Sequence, residues 1–183
     1  MNWKKLLFFT GLGLVLLLVI GGVALNWMMK QPLYRFGHVS AEKGLRGPLT
    51  PPKQDKAGKW RVEKDIYLTW QSLGKGAPVL VIHGGPGYPF ARPWKALEPL
   101  KEKVRFYFYH QRGCGTSTRP ITKFSSQAMF ANVKTLDKTY GLGAQIADIE
   151  RIRRLLKVEQ LILLGHSYGG FLASLYAAEF PKR

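Results

Sequence analysis

The sequence predicts an α/β fold: a mostly parallel sheet with helices on both faces, preceded by one long apolar helix. Three observations carry this expectation. Pro78–Ile82 and Leu161–Leu164 are short continuous apolar runs, the pattern of strands covered on both faces. Between them, residues 144–157 repeat apolar side chains at helical spacing. From residue 60 onward strand and helix patterns alternate, the order that builds a parallel sheet wrapped by helices. At 183 residues, 46% of them hydrophobic, the chain has room for one cored domain plus a leader.

The leader comes first. Leu6 to Met29 is an uncharged stretch of 24 residues. As a helix it reaches about 36 Å, more than a hydrocarbon core of about 30 Å. Lys4 and Lys5 precede it, Lys30 closes it, and Trp3 and Trp27 fall near its ends, where indoles prefer the headgroup interface. Residues 1–30 are therefore read as a membrane anchor. The alternative is a secretion signal cleaved after the small residues Gly22-Val23-Ala24. The basic flanks, taken literally, lean toward a cytoplasmic domain. A short Lys-Lys tail before an apolar run favours translocation of the C-terminal side, and an extracytoplasmic domain is expected.

Residues 31–59 hold four prolines, several glycines and many lysines without an apolar period, and read as a basic tether. The folded unit is expected over 60–183. Val62, Ile66, Leu68 and Trp70 alternate as in strands with one buried face. Val104–Tyr109 is β-branched and aromatic, a further strand. In 144–157 the face of Ile146, Ile149, Ile152, Leu155 and Leu156 points inward, with Glu150 pairing Arg153 or Arg154 on the opposite side. Phe171–Phe180 reads as a helix of small residues.

Charge and cysteine content exclude some classes. The net charge is +17, but the basic residues are scattered and match no nucleic-acid-binding motif, so no nucleic-acid partner is expected. The densest basic stretch, residues 30–64, carries nine Lys or Arg against three acids and follows the apolar leader, which points to anionic lipid headgroups instead. A lone cysteine, Cys114, excludes a disulfide framework and a cysteine-based zinc cluster. No dinucleotide or nucleotide-phosphate loop motif is present, and no cofactor or metal is implied.

Two glycine-rich motifs carry chemistry. Gly165-His166-Ser167-Tyr168-Gly169 lies between a strand and a helix. A sharp strand-to-helix turn lifts its central serine above the sheet, and needs tiny residues two before and two after. Ser167 is thus the candidate nucleophile, with the Tyr168 N–H beside it as one oxyanion donor. His83-Gly84-Gly85-Pro86-Gly87 follows the strand of Val79–Ile82, and its small side chains leave backbone N–H groups open to a substrate carbonyl. Gly85 is the candidate second donor, and Gly84 is expected to line the site.

With Gln111-Arg112-Gly113-Cys114-Gly115-Thr116-Ser117 after the next strand, these motifs stand in an order that resembles the α/β-hydrolase superfamily, most of all its proline iminopeptidase branch. The resemblance covers about residues 60–183. It implies Ser167 as nucleophile, the N–H groups of Gly85 and Tyr168 as oxyanion hole, and a small-molecule or peptide substrate. His110 departs from the family, which usually has Asp before Gln-Arg-Gly. Its place at the sheet edge makes it a candidate for lining the site, a bond to nearby loop backbone being the favoured alternative. Arg112 is expected to brace its loop, Cys114 to be packed, and His166 to occupy the variable elbow position.

A triad in this fold runs Ser, then Asp or Glu, then His. The sixteen residues after Ser167 contain no histidine and one acid, Glu179, on the helix leaving the elbow. The triad acid and histidine are therefore unknown, and the chain is expected to be the N-terminal part of a longer hydrolase, its sheet incomplete at the C-terminal side. The expected activity is cleavage of esters or amides through an acyl-enzyme, with an aminopeptidase as what the resemblance implies. The competing reading is an inactive hydrolase-fold binding module tethered to the membrane.

Overall fold

A computed structural model describes residues 3–124 and 126–183, without the side chains of residues 4–8. The chain divides into two compact units, Met1–Arg35 and Phe36–Arg183. The first is a helix, α1 (Trp3–Met29), followed by a turn in which Lys30 and Gln31 donate backbone bonds to Trp27 and Met28. Phe9–Met29 within it is long and apolar enough to cross a membrane, and none of it is buried.

The second unit starts earlier than residue 60. Val39 and Leu49 are buried at 1% and 2% exposure. The Gly37 and Ser40 N–H groups donate to the two carboxylate oxygens of Glu179 at 2.8 and 2.7 Å. Arg151 donates to the carbonyls of Gly47 and Pro48. The expected tether over 31–59 is thus corrected: from Phe36 on, this segment is stitched onto the folded unit. Charged side chains gripping irregular backbone leave no hydrophobic period to read.

Five strands form one sheet in the order β1 (Lys59–Glu63), β2 (Ile66–Leu73), β4 (Val104–Tyr109), β3 (Ala77–Ile82), β5 (Ile162–Gly165). β1–β2 and β2–β4 are antiparallel, β4–β3 and β3–β5 parallel. The sheet is therefore mixed, not mostly parallel. The alternating pattern of Val62, Ile66, Leu68 and Trp70 was the sign of this, because a tight turn at Lys64-Asp65 folds the two strands into a hairpin.

Helices α3 (Leu142–Leu155) and α4 (Tyr168–Glu179) touch each other and cover one face, α3 against β1 and α4 against β3 and β5. On the other face Val79, Val81, Phe106 and Phe108 pack under Phe90, Trp94 and Leu97, the last in a 3-10 helix, Lys95–Leu100. Helices on both faces were expected; among the described residues the second face has this 3-10 turn and aromatic loop instead. β5 is the outer strand, with Ile162 57% exposed, so it is an apolar sheet edge and not a strand covered on both faces.

α3 is more deeply set than a one-faced helix. Ile146, Ile149 and Ile152 are fully buried as its period predicts, and Glu150, Arg151 and Arg153 are buried too. Glu150 accepts from both Arg153 and Arg154, and from the Tyr176 hydroxyl of α4 at 3.0 Å. The expected pairing forms, but under α4 and not toward solvent. Burial alone would raise the Glu150 carboxyl; the hydrogen bonds from Arg153 and Arg154 outweigh it and hold it below its ordinary value.

Candidate active site

The elbow forms where β5 runs into α4. Ser167 sits at φ 53°, ψ −120°, a conformation a non-glycine residue adopts only when its surroundings enforce it. The flanking glycines show the enforcement. A Cβ on Gly165 would collide with the backbone of Gly169 and Gly170, and one on Gly169 with the Ile82 and His83 carbonyl oxygens. The Tyr168 N–H is the first amide of α4, one of the donors at a helix start that have no intrahelical acceptor.

The loop after β3 closes over this turn. A Cβ on Gly84 would stand 3.0 Å from both the Ser167 Cβ and the His166 carbonyl oxygen, so Gly84 lies directly against the serine. Gly85 has φ +120° and precedes a cis bond to Pro86. His83 secures the loop. Its Nε2 accepts the Gln111 N–H at 3.1 Å, which leaves Nδ1 protonated to donate to the Gly84 carbonyl at 2.9 Å. The Gln111 side chain donates to the His83 carbonyl in return. Burial pushes the His83 imidazole down, and with both ring nitrogens engaged by loop backbone it is a brace and not a base.

A cavity of about 570 Å³ opens over Ser167. Gly84, Gly85, His166 and Ser167 line it together with an apolar wall of Phe90 and Trp94, and Tyr88 and Arg92 line it too. His166 stands edge-on to Trp94, ring centroids 5.6 Å apart. The structure thus gathers Ser167, Gly84 and Gly85 at one cavity, with Tyr168 next to the serine. His110 is a correction: it does not line this cavity. Its Nε2 lies 3.3 Å from the Phe90 carbonyl and its Nδ1 accepts the Thr116 N–H, so it ties loops behind the wall. The aromatic stretch of Tyr88, Phe90 and Trp94, right after the glycine loop, was the missed signal for the wall.

The loop after β4 is locked by charge. Arg112, 3% exposed, binds both oxygens of Asp148 at 2.7 and 2.6 Å, Glu63 at 2.6 Å and the Thr139 carbonyl. Arg151 joins Glu63 and Asp148, each at 3.1 Å, so two buried guanidinium groups share two carboxylates, with the partly exposed Arg46 3.7 Å from Glu63 at the rim. Burial would lower the Arg112 pKa; Asp148 and Glu63 more than offset it, so the group stays charged. Burial pushes the Cys114 thiol up, consistent with a packed cysteine. Among the described residues the Ser167 hydroxyl makes no hydrogen bond to a histidine or carboxylate, and Glu179 is engaged by Gly37 and Ser40.

Comparison with known proteins agrees with this geometry. The family model of the alpha/beta hydrolase fold matches residues 77–183. The AB hydrolase superfamily protein YclE of Bacillus subtilis is 33% identical over 116 residues, 63% of this chain and 35% of that protein. A proline iminopeptidase of Lactobacillus delbrueckii subsp. lactis is 32% identical over 109 residues, 58% of this chain and 33% of the relative. The chain therefore spans about a third of the length of these curated relatives. In fold it resembles a proline iminopeptidase-related protein of Thermus thermophilus, with TM-score 0.55 and 23% identity over 71% of this chain and 42% of that one. With that, the chain belongs to the α/β-hydrolase fold family and is similar to its proline iminopeptidase-like branch.

Proposed function

We propose that this chain carries the nucleophile and oxyanion half of a membrane-anchored serine hydrolase whose domain lies outside the cytoplasm. The observation that carries the reading is Ser167, held at positive φ between β5 and α4 under the Gly84–Gly85 loop. In the reaction the Ser167 oxygen attacks an ester or amide carbonyl carbon and its proton passes to a base. The resulting oxyanion accepts from the Gly85 and Tyr168 N–H groups. Collapse breaks the bond to the alcohol or amine, which leaves with that proton, and water then releases the acyl group from the serine. The base and its orienting acid are assigned to residues outside this chain, in keeping with the third of its relatives' length that it spans. Anchoring by Phe9–Met29 is part of the proposal, cleavage of that stretch as a signal being the alternative.

The test is covalent labelling of the full-length native protein by a fluorophosphonate. Ser167 is expected to react, and the Ser167→Ala variant to lose the label completely. Absence of label on the native protein would instead favour a binding module without turnover.

For the substrate, the branch resemblance suggests removal of an N-terminal residue, which requires recognition of a free amine. The cavity favours a second reading. No carboxylate lines it among the described residues, whereas Arg92 does, beside the Phe90–Trp94 wall. An acyl group with an apolar body and an anionic end suits that lining. Arg92→Gln is expected to lower kcat/KM for a glutarate monoester about fivefold, a charged hydrogen bond discounted for exposure, and to leave the butyrate ester unchanged. Equal effects on both esters would remove Arg92 from the specificity argument.

A further inference from the structure

Helix α2 (Met129–Tyr140) touches the folded unit through α3, yet of its twelve residues only Thr139 is buried. Met129, Val133 and Leu136 recur at i, i+4 and i+7, with Phe130 beside them, and these four are 74%, 54%, 37% and 88% exposed. A helix this short is marginal in water without a surface to lie on. Its other, polar side is basic: Lys134 and Lys138 stand there with Thr135 and Thr139, lining an open cleft of about 570 Å³. Arg46 on the far side of that cleft is held by Asp65 at 2.8 Å and Glu63 at 3.7 Å, and the one acid of the helix, Asp137, lies in its last turn.

We propose that α2 docks on an anionic lipid surface, with Met129, Phe130, Val133 and Leu136 in the interface and the long side chains of Lys134 and Lys138 reaching headgroup phosphates from the polar side of the helix. The stripe and the cations are two separate features of one short helix, and together they match a charged bilayer surface. The net charge of +17 has the same sign preference. The inference rests on the anchored reading for proximity.

The test uses the full chain in vesicles. Cys114 is the only cysteine, so Cys114→Ser with Phe130→Cys places a single environment-sensitive fluorophore on the stripe, and Gln160→Cys supplies an exposed control. In phosphatidylcholine with about one-third phosphatidylglycerol the Phe130 label is expected to shift to shorter wavelength and be quenched by nitroxide-bearing lipid. In phosphatidylcholine alone, and at the control position, it stays water-like. Lys134→Glu with Lys138→Glu abolishes the shift, each lysine being worth about fivefold in surface affinity. A label that stays water-like in both vesicles overturns the proposal. So does one shielded equally in both without nitroxide quenching, which would mean protein covers the stripe. Alkaline carbonate extraction reads the anchor separately: release of the chain sinks the anchored reading, while the label still reports docking.

Discussion

Gly169→Ala is expected to cut fluorophosphonate labelling of Ser167 by about a hundredfold, while Gly170→Ala, one residue on, leaves it unchanged. The two glycines differ only in what surrounds them. A Cβ at Gly169 would lie 2.8 Å from the His83 carbonyl oxygen and nearer still to that of Ile82, and both are backbone atoms that cannot rotate away. The start of α4 must then back off from β3. Ser167 immediately precedes α4, so its hydroxyl moves with it, away from the Gly84–Gly85 loop, and a misplacement of about 1 Å is enough for a loss of that size. Overpacking of this kind also costs about 1–3 kcal/mol of stability. At Gly170 the nearest atom is 3.7 Å away, an ordinary contact inside a helix, where alanine improves helix propensity by about 0.5–1 kcal/mol. The measurements are labelling rates and melting temperatures of the two variants side by side. Normal labelling of Gly169→Ala would show that close packing at the elbow does not position the serine.

Asp148→Ala is expected to lower unfolding stability by about 3–5 kcal/mol, read from the urea midpoint of the full chain in detergent. Removing this carboxylate leaves Arg112 and Arg151, both with side chains about 1% exposed, facing Glu63 alone. A buried guanidinium without its partner retains its desolvation cost and loses the attraction that offset it. The effect is large because the cluster joins β1, the loop after β4, α3 and the carbonyls of Gly47 and Pro48. Glu102→Gln is the contrasting variant. Its pair with Lys75 is as short, 2.8 Å, but both side chains are mostly exposed, and a surface pair of this kind contributes about 0–1 kcal/mol. An equal response from the two variants would show that the buried cluster is not what secures the loop.

The geometry of the elbow was legible because it is local. Gly165, Ser167 and Gly169 are needed by a turn five residues long, and the same holds for the glycines after β3. The apolar runs of Val79–Ile82 and Val104–Tyr109 likewise announced strands. Other features depended on groups far apart in the chain. Glu150 was paired correctly with its neighbours on α3 and placed on the wrong side, because Tyr176, 26 residues later, covers it. The segment from Phe36 lacked any periodic pattern, since Glu179 and Arg151 hold it by its backbone across more than a hundred residues.

By itself the sequence determined the strands, the helices α3 and α4, the apolar leader, the serine at its elbow and the loop that meets it, though not α2, because tiny side chains and hydrophobic periods act over a few residues. Only the tertiary structure decided that half the strand pairings are antiparallel, that His110 braces loops behind the cavity wall, that Phe90, Trp94 and His166 shape the space over Ser167, and that Arg112 and Arg151 share two carboxylates. These follow from which surfaces the folded chain brings together, and a buried charge or an aromatic wall has no local spacing by which to announce its partner.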